Sequence, residues 1–131
     1  MSVRRTLHFY QLWLVIGALL ASAILILCLI PPSNKISSIE GLDKVEHALA
    51  FLALTAWFAA LIERPGYWAL SIMLLGLGVG IEIAQYLMAL GRSAEIFDVI
   101  ADTVGIILGV ILSLSIHESW LQRIERWLHL N

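Results

Sequence analysis

Apolar residues in this chain gather into four long runs separated by short polar stretches, followed by a final segment in which apolar and polar positions interleave. The first run extends from about residue 9 to residue 30, and at 1.5 Å of rise per helical residue it is long enough to cross a bilayer. Pro31-Pro32 ends it, because proline lacks an amide donor and disfavours helix in the residue before it. Further spans are predicted at about 45–62, 67–90 and 97–116, joined by a polar loop from Ser33 to Leu42, a tight turn at Glu63-Arg64-Pro65-Gly66 and a loop from Gly91 to Ile96. Asp43 followed by Glu46 has the spacing of a helix cap with its reciprocal acceptor, and Tyr67 and Trp68 open the third span as interfacial aromatics.

Beyond Ile116, residues Trp120, Leu121, Ile124, Trp127 and Leu128 recur at helical spacing, while Glu118, Gln122, Arg123, Glu125, Arg126 and His129 take the other face. This pattern predicts an interfacial amphipathic helix. The expected fold is therefore an all-α integral membrane protein: four transmembrane helices in a compact bundle plus a C-terminal interfacial amphipathic helix, all in one membrane domain over residues 1–131.

Composition strengthens this picture, since 60% apolar residues, 14% charged residues and a mean hydropathy of +0.90 leave too little polar surface to coat a soluble globule. A net charge of -2 offers no basic field for nucleic acid. The single cysteine, Cys28, has no partner in the chain, and the large residues Leu25-Ile26-Leu27 ahead of it argue against lipoprotein-type cleavage. The apolar run continues past any signal-peptide cleavage point, so an uncleaved anchor is expected. Arg4, Arg5, Arg64, Arg123 and Arg126 fall on one side of the spans, against Lys35, Lys44 and Arg92 on the other. This bias predicts both termini in the cytoplasm.

Ionisable residues inside the spans change the picture most, because even the mildest insertion scale charges about 2.5 kcal/mol for an unpartnered charge at mid-membrane. With cytoplasmic termini, Lys44, His47, Glu82, Gln85, Asp98 and Asp102, together with Arg92 in the loop between the last two spans, are expected to converge near the outer face. Helical spacing puts Asp98, Asp102, Gly105 and Gly109 on one stripe, and Gly78, Glu82 and Gln85 on a face able to meet it. Gly76 and Gly80 in the third span, like Gly105 and Gly109 in the fourth, have the four-residue spacing that permits close helix approach in lipid, so these two spans are expected to pack together.

The ordered set Asp43-Lys44-x-x-His47-x-x-x-Phe51-x-x-Leu54, Glu82-x-x-Gln85, Arg92 and Asp98-x-x-x-Asp102-x-x-Gly105-x-x-x-Gly109 resembles the VanZ-like family of bacterial membrane proteins over about residues 42–112. The resemblance implies a small multi-pass protein of the bacterial inner (cytoplasmic) membrane, in a family whose founding member is linked to resistance to the glycopeptide teicoplanin. The family pattern commonly has Asn at the position of Asp102, so Asp here adds a negative charge.

Several kinds of chemistry fit these residues. Lys44 and Arg92 could meet phosphates while the carboxylates accept from sugar hydroxyls or amines, which suits the headgroup of a lipid-linked cell-envelope precursor. His47, Glu82, Asp98 and Asp102 form a candidate ligand set for a divalent cation, which could in turn activate water for hydrolysis or transfer. Glu82 and Asp102 could instead carry protons or cations, or the polar residues could pair only to fix helix register, Arg92 with Asp98 or Glu95 and Lys44 with Glu82. No organic cofactor is implied, and whether the chain is an enzyme stays open. Glu63, Arg64 and Glu95 are expected to be solvated loop charges.

Overall fold

The computed structural model describes residues 4–30, 41–88 and 95–128. The described residues form five α-helices, α1 (Tyr10–Leu29), α2 (Leu42–Ala59), α3 (Tyr67–Met88), α4 (Ile96–Leu114) and α5 (Trp120–Trp127), with a 3₁₀ turn over Arg64–Gly66. Three of them, α1, α3 and α4, are long and apolar enough to cross a membrane. The fourth expected span, α2, does not meet that measure, because Asp43, Lys44 and Glu46 crowd its first two turns. Large apolar side chains such as Leu27, Met73 and Ile107 point outward from α1, α3 and α4, as helices facing hydrocarbon require.

Helix ends follow local chemistry. Ile30, the residue before Pro31, has left the helical region (φ -65°, ψ 129°), as the proline demands. At the start of α2, Gly41 adopts φ +85°, a left-handed turn open to glycine. The helix thus begins at Leu42, earlier than expected, and the predicted Asp43–Glu46 capping box does not form: Asp43 lies inside the first turn and pairs with Lys44 at 3.0 Å.

Backbones approach most closely between α2 and α4. Lys44 meets Asp98, His47 meets Asp102, a Cβ on Gly105 would fall on the Ala48 carbonyl, and one on Gly109 would strike Thr55. This register shows α2 and α4 side by side and parallel. Antiparallel α3 packs on them, with Gly78 against the Asp102 carboxylate and Glu82 bonded to the Glu95 backbone. Phe51, Leu54, Leu70, Leu74, Ile81 and Ile106 fill the space between these three helices. The expected pairing of glycines across α3 and α4 is corrected here, since the Gly105 and Gly109 seam belongs to α2. Gly76 and Gly80 instead face open space, with nothing within 4 Å of where a Cβ would lie. Gly76→Ala and Gly80→Ala should therefore leave thermal unfolding in detergent unchanged or raise it, by up to about 1 kcal/mol per site from helix propensity.

The other end of the molecule is tied together by polar side chains. Arg5 is buried and donates from Nε to the Ile62 carbonyl (2.8 Å) and from its guanidinium to the Tyr67 hydroxyl (3.2 Å) and Gln122 (3.3 Å). Arg64 is exposed, as expected of a loop charge, and also donates to the Leu114 carbonyl at the end of α4. Ser119 and Gln122 form a complete capping box that opens α5.

Of the expected apolar face of α5, Leu121 is fully buried, but Trp127 is 78% exposed. Glu125, assigned by pattern to the polar face, is also fully buried. It accepts from the backbone N–H groups of His8 (2.6 Å) and Phe9 (3.0 Å) and from the Trp13 indole (2.7 Å). The unpaired amides and positive dipole at the start of α1 draw the carboxylate in. α5 thus clasps the beginning of α1 as well as presenting an outer face.

Candidate functional site

The first two turns of α2 present Lys44 and His47 on one side, and the first two turns of α4 present Asp98 and Asp102 toward them. Because α2 and α4 run parallel in tight register, these pairs meet in order. The Lys44 ammonium lies 3.0 Å from Asp43, 2.8 Å from Glu95 and 3.2 Å from Asp98 Oδ1. Deeper in, His47 Nδ1 sits 2.8 Å from Asp102 Oδ1, and its Nε2 sits 3.9 Å from Asp98 Oδ2. The two ring nitrogens of His47 thus face different carboxylates, Nδ1 toward Asp102 and Nε2 toward Asp98.

From α3, Glu82 adds a third wall. Its Oε2 accepts the Glu95 N–H at 2.9 Å, while Oε1 has no hydrogen-bond partner among the described residues. Asp102 Oδ2 is likewise without one, held against Gly78, where a Cβ would lie 2.6 Å away. His47, Glu82, Asp98 and Asp102 are all at least 95% buried. Each unpaired buried polar atom costs about 1–3 kcal/mol, more when charged, unless a proton, a water or a ligand meets it, so these two oxygens mark the polar end of the molecule.

Not every candidate joins this cluster. Gln85 is buried but turns to α1, donating to the Cys28 carbonyl at 2.8 Å, so it fastens α3 to α1. Arg92 lies outside the described residues, as do Lys35 and His129. Lys44 pairs with Asp43, Glu95 and Asp98, not with Glu82 as the register-fixing scheme supposed. Glu95, expected to be merely solvated, belongs to the site through both its carboxylate and its backbone. The legible signal for it was its position just before α4, where an acidic group faces the positive end of the helix.

The cluster therefore sets, among the described residues, the carboxylates of Asp43, Glu82, Glu95, Asp98 and Asp102 against the Lys44 ammonium and the His47 imidazole. Among the described residues such a surplus attracts cations and hydrogen-bond donors and repels bare anions.

The fold and site together define a helical membrane protein with a buried acidic cluster at one end. The chain belongs to the VanZ/LLP1 family, whose model matches residues 2–117. The match takes in α1, which the motifs alone had left outside, and stops short of α5. No curated protein and no solved structure matches the chain.

Proposed function

We propose that this protein recognises the headgroup of a lipid-linked cell-envelope component in the outer leaflet of a bacterial cytoplasmic membrane. In this reading α2 is a fourth crossing, supported by its lying parallel to α4 along the Ala48–Gly105 and Thr55–Gly109 contacts. Both termini are then cytoplasmic and the acidic cluster faces outward. The observation that carries the reading is the convergence of buried acceptors, with Glu82 Oε1 and Asp102 Oδ2 still lacking partners among the described residues.

Lys44 is already shared among three carboxylates, which disfavours its taking a phosphate directly. Hydroxyl or amino groups of the headgroup are the natural complement. The family resemblance adds the expectation that the chain lowers susceptibility to teicoplanin.

Native mass spectrometry of the protein purified from bacterial membranes should find a bound envelope lipid. Glu82→Gln should weaken that binding roughly 10- to 100-fold, as loss of a charged acceptor implies, whereas Glu63→Gln at the opposite end should not. Equal binding by both variants would sink the proposal. In a sensitive Gram-positive host, the unmutated chain should raise teicoplanin tolerance while Glu82→Gln and His47→Ala, inserted at matched levels, should not.

A further inference from the structure

We propose that His47, Glu82 and Asp98 bind a first-row divalent metal cation, with Asp102 as the positioning residue behind the imidazole. One ligand comes from each of α2, α3 and α4. His47, Glu82 and Asp98 each offer a ligand atom, and these atoms all lie within 4.8 Å of one another. Metal bonds of about 2.0–2.2 Å require ligand atoms roughly 3–4 Å apart, so side-chain adjustment alone closes the set.

Two further observations point to a ligand. Glu82 is 95% buried, yet its Oε1 has no partner among the described residues. The neighbouring acidic group of Asp43, Glu95 and Asp98 also has ligand atoms within 4.8 Å of one another, and there the Lys44 ammonium lies 2.8–3.2 Å from all three carboxylates. Lys44 engages Asp98 through Oδ1, while Oδ2 turns toward His47. Each carboxylate edge thus serves a different cation, and among the described residues no lysine or arginine forms an ion pair with Glu82.

The His47 imidazole is prepared for metal. Asp102 Oδ1 lies 2.8 Å from Nδ1, and the tautomer with its proton on Nδ1 keeps the Nε2 lone pair for a cation, the carboxylate–histidine arrangement that orients metal-bound imidazoles. A set of one nitrogen and two carboxylate oxygens favours metals such as zinc or manganese over soft monovalent copper, and suits them better than the all-oxygen cages of calcium. Three protein ligands leave coordination positions open, and there an oxygen from outside the chain can bind. If that oxygen belongs to a headgroup phosphate, the metal supplies the positive charge that Lys44 cannot. This last link rests on the function proposed above; the metal site itself does not.

Full-length protein in detergent, stripped with EDTA and dialysed, should take up one equivalent of Zn²⁺ or Mn²⁺ per chain, measured by calorimetry and elemental analysis. Its unfolding temperature should rise with added metal. Glu82→Gln and Asp98→Asn should weaken binding at least roughly tenfold, and Asp102→Asn should weaken it roughly 10- to 100-fold, as for other groups that orient ligands. Glu63→Gln should bind like the parent.

No uptake by the unmutated protein overturns the proposal without recourse to any variant. Uptake indifferent to both Glu82→Gln and Asp98→Asn overturns it too, by placing the metal elsewhere. Lipid binding measured before and after chelation separates the two proposals. Metal uptake without headgroup binding leaves the metal site standing and removes the headgroup reading, whereas headgroup binding that survives chelation overturns the phosphate link.

Discussion

Gly105→Ala is expected to destabilise the protein by about 3 kcal/mol, the upper end of what overpacking a filled interior costs. The new Cβ would fall on the Ala48 carbonyl oxygen and lie 3.0 Å from the Leu52 nitrogen. Both are backbone atoms of α2, so no side chain can rotate away and the helices must separate. In lipid, helix association draws on close packing and interhelical hydrogen bonds and gains no hydrophobic driving force, so lost backbone contact is not replaced. The same shift would pull His47 away from Asp102, now 2.8 Å apart, and should weaken metal binding even where the variant remains folded. Unfolding in detergent, with Gly76→Ala as control, checks this. Equal stability of the two variants would mean that the α2–α4 seam is not where the helices meet.

Glu125→Ala should cost about 3 kcal/mol, because it leaves the His8 and Phe9 amides and the Trp13 indole facing an interior with no acceptor. The carboxyl also makes stability depend on pH. Burial works against its charge, but the Phe9 and His8 amides and the Trp13 indole outweigh that and hold its pKa below the ordinary 4.5. For an acid with a depressed folded pKa, the stabilisation is fully present above the unfolded value and disappears as pH falls through the folded one. Unmutated protein should accordingly lose stability below about pH 4.5 more steeply than Glu125→Gln does, in unfolding midpoints recorded across an acid series. Parallel curves would remove Glu125 from the account.

These two sites differ in how far they could be foreseen. Gly105 and Gly109 stood out as a close-packing pair from spacing alone, but spacing does not name a partner. The pair was matched to Gly76 and Gly80 because those share its pattern, whereas the structure pairs it with Ala48, Leu52 and Thr55 of α2. Glu125 was misplaced for a related reason. A helical projection of α5 ranks it with the charged face, yet the start of α1, distant in sequence, supplies three donors that make burial favourable.

Within the site, burial of His47, Glu82, Asp98 and Asp102 toward one end was readable, since charges in apolar runs avoid lipid. Which carboxylate receives Lys44 and which is left open was not. That choice turns on contacts of a few ångströms between helices.

The sequence by itself determined the helices and their extents to within a few residues, because transfer of a side chain into hydrocarbon is a local cost that adds along the chain. It also singled out His47, Glu82, Asp98 and Asp102 as buried polar residues, since an ionisable group among apolar neighbours declares itself. Only the tertiary structure decided the parallel seam of α2 and α4, the turn of Gln85 toward α1, the clasp of Glu125 and the division of the acidic cluster into one part around Lys44 and one around His47. Those features depend on the relative register and rotation of whole helices, and short-range packing and hydrogen bonds set these between residues far apart in sequence.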